Sequence, residues 1–534
     1  MSKAWPKEVE VTLGLDEPED PEYLRNKAAR ALGVPAAELA LPRLLKRSID
    51  ARGGRVRIHF LLGFDEEEQA GEEHNPPREV RGPARVIIVG DGPAGLFCAY
   101  ELARRGVAAT VVERGKPVQP RRRDLKLLNA RGGVDPNSNY CFGEGGAGTY
   151  SDGKLYTRSH KRGDVRDVLE ILVRHGAPAN ILLDARPHIG SNLLPKVISS
   201  MREELESVGI EFRFGTRLVG IELEGQGEAR RVVAVKVEDV ETQEQSMWPA
   251  DSVVLATGHS ARDVGQLCAA LGLDLEVKGF ALGVRIEHPQ SLINEIQYGK
   301  DACHPKLGAA SYRVAQEIDG RGVFSFCMCP GGWIVPAHTD TEHLVVNGMS
   351  LSKRDSDFAN SGLVVQIDVS DMQTLGIDSP LVGFEVQVRA ERRAAELGGG
   401  QNRAPAIRVT DFLAGRESST LPKTSYLPGL TAADVGQAVD ATGLKLAARL
   451  RAALMRFGRN LRGYVTEDAI LVGVESRTSS PVRITRDPSS LEAPKAAGLF
   501  PTGEGAGYAG GIVSAAVDGL RVAEKVALRQ AARS

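Results

Sequence analysis

The 534-residue chain is predicted to be an α/β protein: a doubly wound, Rossmann-type domain, an α+β domain inserted into it, and a small α+β domain in front. Three observations predict this. An apolar strand runs into a glycine-rich turn and a helix at residues 85–105. A second strand, glycine turn and helix close the chain at 498–527. Between about 276 and 465 the pattern changes to short strands followed by helices. At roughly 150 residues per domain, the length allows two to four such units.

Residues 1–62 read as the small N-terminal domain. Glu8 to Leu13 alternate as a strand does, and so do Val56 to Leu62. Between them Asp20-Pro21 supplies an N-cap and an N1 proline, and Gly33 a helix stop. This unit is either a packing appendage or a module that contacts a partner or substrate. Residues 63–83, acidic and then Pro-rich, read as a solvated tether.

Residues 84–275 form the first part of the nucleotide-binding domain. Val86 to Val89 lead into Gly90-Asp91-Gly92-Pro93-Ala94-Gly95. Gly90 permits the tight turn, Gly92 lets backbone approach a pyrophosphate, and Gly95 lets helix and strand pack closely. Pro93 suits the first helical turn, where its missing N–H costs nothing. The next strand ends at Glu113, placed to bind ribose hydroxyls, with Arg114 beside it. After Arg121-Arg122-Arg123 a long irregular stretch is expected up to Thr157. It holds Gly143, Gly145, Gly146, Ala147 and Gly148 among Tyr140, Phe142, Tyr150 and Tyr156. Such a loop brings backbone close to something flat or phosphorylated. Helices are expected at 164–175 and 192–208, strands at 210–214 and 217–223 (including Leu218), and a small meander at 232–249. A buried strand from Asp251 ends in Ala256-Thr257-Gly258, matching the second FAD fingerprint of glutathione-reductase-type proteins.

Residues 276–465 are read as the inserted cap, of the kind that covers a flavin and binds substrate. Residues 466–534 return to the nucleotide fold, beginning with the apolar run 469–474. Gly503, Glu504, Gly510, Gly511 and Ile512 match the third FAD fingerprint, with Glu504 where aspartate is more usual. The helix start at Gly510-Gly511-Ile512 offers a positive dipole end to the reduced ring. The fold is therefore a two-dinucleotide-type FAD-binding Rossmann domain.

Long blocks together resemble one family, the uncharacterised bacterial FAD-dependent dehydrogenases. They are SIDAR at 48–52, NYCFGEGGAGTYSDGKL at 139–155, GHSARD at 258–263 and KGFALGVRIEHPQ at 278–290. FCMCPGG at 326–332, NGMSLSKRDSDFANSG at 347–362, LPKTSYLPG at 421–429, ESRTSSPVRI at 475–484 and PTGEGAGYAGGI at 501–512 complete them. The resemblance implies FAD, the inserted cap and the N-terminal domain, but no particular reaction.

FAD would carry the redox chemistry. No second GxGxxG follows a strand in the insertion, so NAD(P)H is expected at most as a transient reductant. Candidate catalytic residues are His259, Arg262, Cys327, Cys329, Lys423 and Arg477. His259, Arg262 and Asp263 follow a cofactor-side strand end and serve either in acid–base chemistry or in a supporting hydrogen-bond network. Cys327 and Cys329, two apart on a strand, share a face. They are read as a packed strand first, as a strained redox pair second, and as metal ligands with Cys303 and His304 last. No metal is expected. Arg285 and Glu287 share a face and read as a pair. Lys423, Ser425 and Tyr426 sit in a Pro-bounded loop. Arg477 and Arg483 hold either an anion or Glu475.

Composition is ordinary, at 42% hydrophobic and 25% charged residues with a formal charge of −2. Neither nucleic acid nor membrane is expected as a partner. Six cysteines and no apolar leader fit a cytoplasmic setting. The function expected is FAD-dependent hydride transfer, as a dehydrogenase or reductase, between flavin N5 and a small organic substrate. The alternatives are a partner protein with structural FAD and a flavin monooxygenase. Composition assigns no oligomeric state.

Overall fold

The computed structural model describes residues 7–51, 55–64, 76–130, 132–156 and 163–533. Residues 65–75 of the expected tether, the Arg52 end of SIDAR and Thr157 lie outside these.

The main sheet has five parallel strands in the order Leu499–Pro501, Ser252–Leu255, Arg81–Val89, Val107–Glu113, Glu211–Phe214. Val86 to Val89 are buried throughout, because both faces of a parallel sheet are covered. On one face the helices Pro93–Arg104 and Ile512–Ala531 cross closely. A Cβ on Gly519 would lie 2.1 Å from Ala94 O, so only glycine allows that approach. Arg104 makes a buried bidentate pair with Asp167 (2.9 and 3.0 Å), which ties the helix Val165–Arg174 to the same layer. The other face carries the antiparallel meander Thr216–Glu224, Arg231–Asp239 and Gln245–Pro249.

The insertion is built on a seven-stranded sheet. Its order is Ala315–Ile318, Arg321–Cys329, Phe358–Ile367, Phe280–Pro289, Ile470–Glu475, Ala404–Arg408, Leu430–Ala432. A two-stranded ribbon, Gly332–Pro336 and Val346–Ser350, joins it. The helices Val382–Gly398, Val435–Asp440 and Leu446–Asn460 bury their apolar sides in its core. The apolar run at 469–474 thus corrects its expected place. It is an interior strand of this sheet, flanked on both sides, and not the start of the returning nucleotide fold. A fully buried strand reads the same in either sheet.

Two further elements differ from expectation. Arg43–Asp50 is a strand at the edge of the N-terminal sheet, whose order is Glu8–Leu13, Arg57–Gly63, Arg43–Asp50. Half-exposed along its length, it lacks the alternation that marks its partners. Val118–Asn129 is a helix, which takes in the first residues of the stretch expected to be irregular after Arg123. Its buried side is Val118, Arg121, Leu125 and Leu128, and an arginine in that row hides the apolar period. The expected helix Pro21–Leu32 forms, capped by Asp20 and ended by Gly33 at φ 69°. The N-terminal unit docks on both other parts. Arg47 N–H donates to Leu183 O (3.1 Å), and Lys306 pairs with Glu19 (3.4 Å).

Candidate functional site

Three glycine-rich passages converge at the ends of the parallel strands. In the first, Gly90 has φ 101°, and a Cβ there would lie 2.5 Å from Ala256 O. A Cβ on Gly95 would lie 1.9 Å from Gly90 O. Gly92 caps the helix with Pro93 at its first position. A Cβ on Gly92, by contrast, would meet nothing nearer than Gly146 Cα at 3.9 Å. Glu113 accepts N–H bonds from Asp91 (3.1 Å), Gly115 (2.9 Å) and Gly143 (2.9 Å). The acid expected to face a ribose thus also pins the turn to the neighbouring loop, using three of roughly four acceptor positions on a carboxylate. Arg114 pairs with Asp263 (2.5 Å) and stacks over Phe142.

The second passage is the loop 139–148. Fully buried Arg121 donates to the carbonyls of Asn139 (2.9 Å), Tyr140 (3.2 Å), Glu144 (2.8 Å) and Gly146 (2.9 Å). Gly145 and Gly146 take positive φ, 74° and 62°. A Cβ on Gly148 would lie 3.3 Å from Ile512 Cγ1 and 3.5 Å from Pro93 Cγ, so the loop is seated between two helix starts. In the third passage, Gly503 N–H donates to Asp518 (2.8 Å), and a Cβ on Gly505 would lie 2.4 Å from Gly258 O. Gly511 caps Ile512–Ala531 with open space in front of it and Gly510. The first N–H groups of an α-helix have no intrahelical partner. Two such starts, each prefaced by glycines with clear space, fit a diphosphate and the electron-rich edge of a flavin. Leu218 lies in the apolar core with Val89 and Phe142.

A narrow cleft opens between this assembly and the insertion. Tyr140, Cys141, Ala147, Tyr150, Ser151, His259 and Ser260 line the nucleotide side; Val335, Ala337, 345–348, Glu475 and Arg477 line the other. Behind the wall lies a buried charge network. Glu391 receives Arg477 (3.1 Å) and Arg262 (2.7 Å). Burial alone would raise its pKa, but the two guanidiniums hold it well below the usual carboxylate range. Burial pushes Glu475 up to about 7, although Arg285 (2.9 Å) and Lys154 oppose this. His259 lies 3.6 Å from Glu504.

The structure re-pairs several residues. Arg285 meets Glu475 across the sheet, whereas Glu287 on the same face accepts from Thr424 and Ser425. Arg477 and Arg483 part company, the second reaching Glu276 (3.3 Å). Cys327 and Cys329 do not share an environment. A register shift lies between Phe326 and Cys329, and Cys327 has φ 44°. Its thiol is exposed, while Cys329 is buried 3.5 Å from Lys154 Nζ. Lys423 is exposed and Tyr426 donates to Asn402 O (2.6 Å), neither of them in the cleft. His304 contacts Asp16 of the N-terminal domain (3.4 Å). Among the described residues no cluster of three His, Cys, Asp or Glu could hold a metal. No helix among them is long and apolar enough to cross a membrane. Cys141 and Glu391 escaped the sequence reading. Cys141 sits inside a motif read for its glycines, and Glu391 inside a charged helical run that reads as a solvated face.

The fold and this site define an FAD-binding flavoprotein. Residues 83–127 match an FAD binding domain, and residues 279–478 match the C-terminal-like domain of FAD-dependent proteins. Residues 5–65 match a domain of unknown function. An uncharacterised protein of Clostridium beijerinckii is 38% identical over 540 residues, covering 97% of each chain. The chain belongs to the same family of FAD-dependent proteins as that relative. Solved structures overlap loosely. A flavocytochrome c3 fumarate reductase is 13% identical with TM-score 0.32, over 83% of this chain and 77% of that one. A flavin-dependent brominase, Bmp2, is 12% identical with TM-score 0.35, over 84% and 79%. Thermovibrio ammonificans THI4 is 19% identical with TM-score 0.25, over 36% and 63%. At these scores none of them bears on the reaction.

Proposed function

We propose that this protein is an FAD-dependent oxidoreductase that transfers a hydride between flavin N5 and a small organic substrate lying under the inserted domain. The cleft carries this reading, because its walls come from both the FAD-binding passages and the insertion, and ionisable groups line it. Gly90, Gly92, Pro93, Ala94 and Gly95 would hold the diphosphate against the helix start, and Glu113 with Arg114 the adenosine ribose. Gly145, Gly146, Ala147 and Gly148, the end Ala256-Thr257-Gly258, and Gly503 with Glu504 would border the ribityl and ring. Gly510, Gly511 and Ile512 would place N–H groups at the ring's electron-rich edge. Bound there, FAD supplies two-electron redox chemistry. The chain's own part is to orient the substrate, to exclude water with Val335, Ala337, Val345 and Val346, and to manage protons through Glu475 and His259.

The test is anaerobic stopped-flow reduction of the purified flavoprotein with nicotinamides and a panel of small organic donors. Bleaching of the oxidised flavin band by one of them, with turnover restored by an acceptor, is expected. A protein that carries FAD but is reduced by nothing in the panel, and that co-purifies with a fixed partner, would instead point to a structural flavin. Fast NAD(P)H oxidation with peroxide release would point to a monooxygenase.

A further inference from the structure

Glu475 owes its position to a bulge. Opposite Phe280–Pro289, Val284 pairs with Gly473 but Gly283 pairs with Glu475, leaving Val474 unpaired. Paired residues share a face and faces alternate, so this extra residue puts Glu475, rather than Val474, on the face of Arg285. Two glycines make the room. A Cβ on Gly362 would lie 2.9 Å from Glu475 Oε2, and one on Gly348 would lie 2.7 Å from Arg285 Cζ. The carboxyl group is 4% exposed. Oε1 accepts from Arg285 Nη1 (3.2 Å), and Oε2 lies 2.9 Å from the same nitrogen as an ion-pair contact without hydrogen-bond geometry. Arg285 is shared with Asn347 Oδ1 (3.0 Å) and Cys327 O (2.6 Å). A buried carboxyl held by a single hydrogen bond and one ion-pair partner thus borders the cleft.

Arg477, two residues on, is equally unbalanced. Its Nε and Nη2 are taken by Glu391 (3.2 and 3.1 Å). Its Nη1 reaches only Thr339 Oγ1 at 3.5 Å and Cys141 Sγ at 4.0 Å among its hydrogen-bond contacts. Arg262 shares the same Glu391. Two guanidiniums share this one carboxylate, with Asp340 near Arg477, and the loosely engaged Nη1 belongs to a side chain that borders the cleft.

Resting on the hydride-transfer reading, we propose that Glu475 is the acid–base of this site and that Arg477 Nη1 holds a negatively charged substrate oxygen. The substrate class is then a carboxylate or carbonyl compound that exchanges a hydride and a proton across the adjacent carbon–carbon bond. In the reducing direction bound FAD, once reduced, would supply the hydride with which a C–H bond forms at the far carbon, the cofactor being the group oxidised. The π pair moves toward the oxygen held by Arg477. The Glu475 O–H bond then breaks as its proton forms a C–H bond at the near carbon, and the carboxylate left behind faces Arg285 and regains a proton from solvent.

Protonated Glu475 tolerates an anion beside Arg477, and ionised Glu475 repels it, so anion affinity reports its state. The groups facing Glu475 are Arg285 from its partner strand and Lys154 from the glycine-rich loop's exit; Cys327 and Cys329 lie beyond Arg285. His259, Cys141, Tyr140 and Tyr150 border the same cleft, and Asp340 lies near Arg477. His259 borders the cleft directly, so it is given its own variant. The probe is benzoate, titrated into the FAD-loaded protein and followed by flavin absorbance and calorimetry from pH 6 to 9. In the wild type and in His259→Asn, Kd is expected to rise about tenfold per pH unit above the Glu475 ionisation. In Glu475→Gln it should stay flat, and in Arg477→Met it should be weaker by about tenfold or more at every pH. No benzoate binding by the wild type, an unchanged Kd in Arg477→Met, or a slope that survives in Glu475→Gln would overturn the proposal. Should Glu475→Gln not fold, the infrared C=O band of a protonated carboxyl decides the matter in the wild type: a band that titrates with benzoate affinity supports the assignment, and its absence overturns it. A flavin that no donor reduces would remove the hydride-transfer reading while the benzoate titration still reports on Glu475. Intact reduction with flat benzoate binding would remove the Glu475 assignment alone.

Discussion

Asp91 is completely buried inside the first glycine-rich turn, and its carboxylate oxygens meet at most the Gly145 N–H. Burial, followed by the nearby Glu144 and Glu113, pushes its pKa well above the usual range. For an acid whose folded pKa is raised, the stability it allows is fully present below the unfolded value of about 3.9 and is lost as pH rises toward the folded one. Asp91→Asn keeps the shape and removes the ionisation. The variant should match the wild type near pH 4 and exceed it by about 1.4 kcal/mol for each further pH unit up to the folded ionisation, so clearly at pH 8. Thermal melts across that range test this, and a variant less stable than wild type at pH 8 would contradict it. The glycine-rich turn was readable from glycine spacing. The protonation of the residue within it was not, because two of the neighbours that set it, Glu113 and Glu144, arrive from other segments.

Among the elements, the glycines of the turn separate into two kinds. A side chain on Gly95 would collide with Gly90 O, whereas one on Gly92 would meet no atom nearer than 3.9 Å and would occupy the proposed diphosphate site. Gly92→Val should therefore fold with stability within about 0.5 kcal/mol of wild type and bind no FAD. Gly95→Val should lose both fold and FAD. Flavin absorbance per protein and the melting curve of each variant read the outcome; full FAD occupancy in Gly92→Val would refute the diphosphate placement. The helix Val118–Asn129 makes a second case. Arg121→Met would leave four carbonyls, three of them buried, without their shared donor, at a cost of about 3 kcal/mol or more, with FAD occupancy falling as the loop 139–148 loosens. A melting curve unchanged by that substitution would show the loop held by other means.

At the scale of the whole molecule, Glu391 clips the parts together. Arg262 comes from the helix after the Ala-Thr-Gly strand end, Glu391 from a helix of the insertion, and Arg477 from the chain leaving it. Its folded pKa is depressed, so its contribution is present above the unfolded value of about 4.3 and is lost as pH falls below that. Glu391→Gln strands two guanidiniums and should cost about 3–5 kcal/mol at pH 7, with the difference from wild type shrinking below about pH 4. Denaturant unfolding at both pH values checks it, and a variant as stable as wild type at pH 7 would contradict the clip. By itself the sequence determined the parallel strands, the glycine turns, the cofactor class and the existence of an insertion. Those follow from periodicity, backbone freedom and helix-end chemistry, all of which act within a few consecutive residues. Only the tertiary structure decided that Ile470–Glu475 belongs to the insertion, that Arg285 meets Glu475, and that Glu391 lies between two arginines. Each of those rests on which residues far apart in the chain share a face, and one unpaired residue, Val474, is enough to exchange one face for the other.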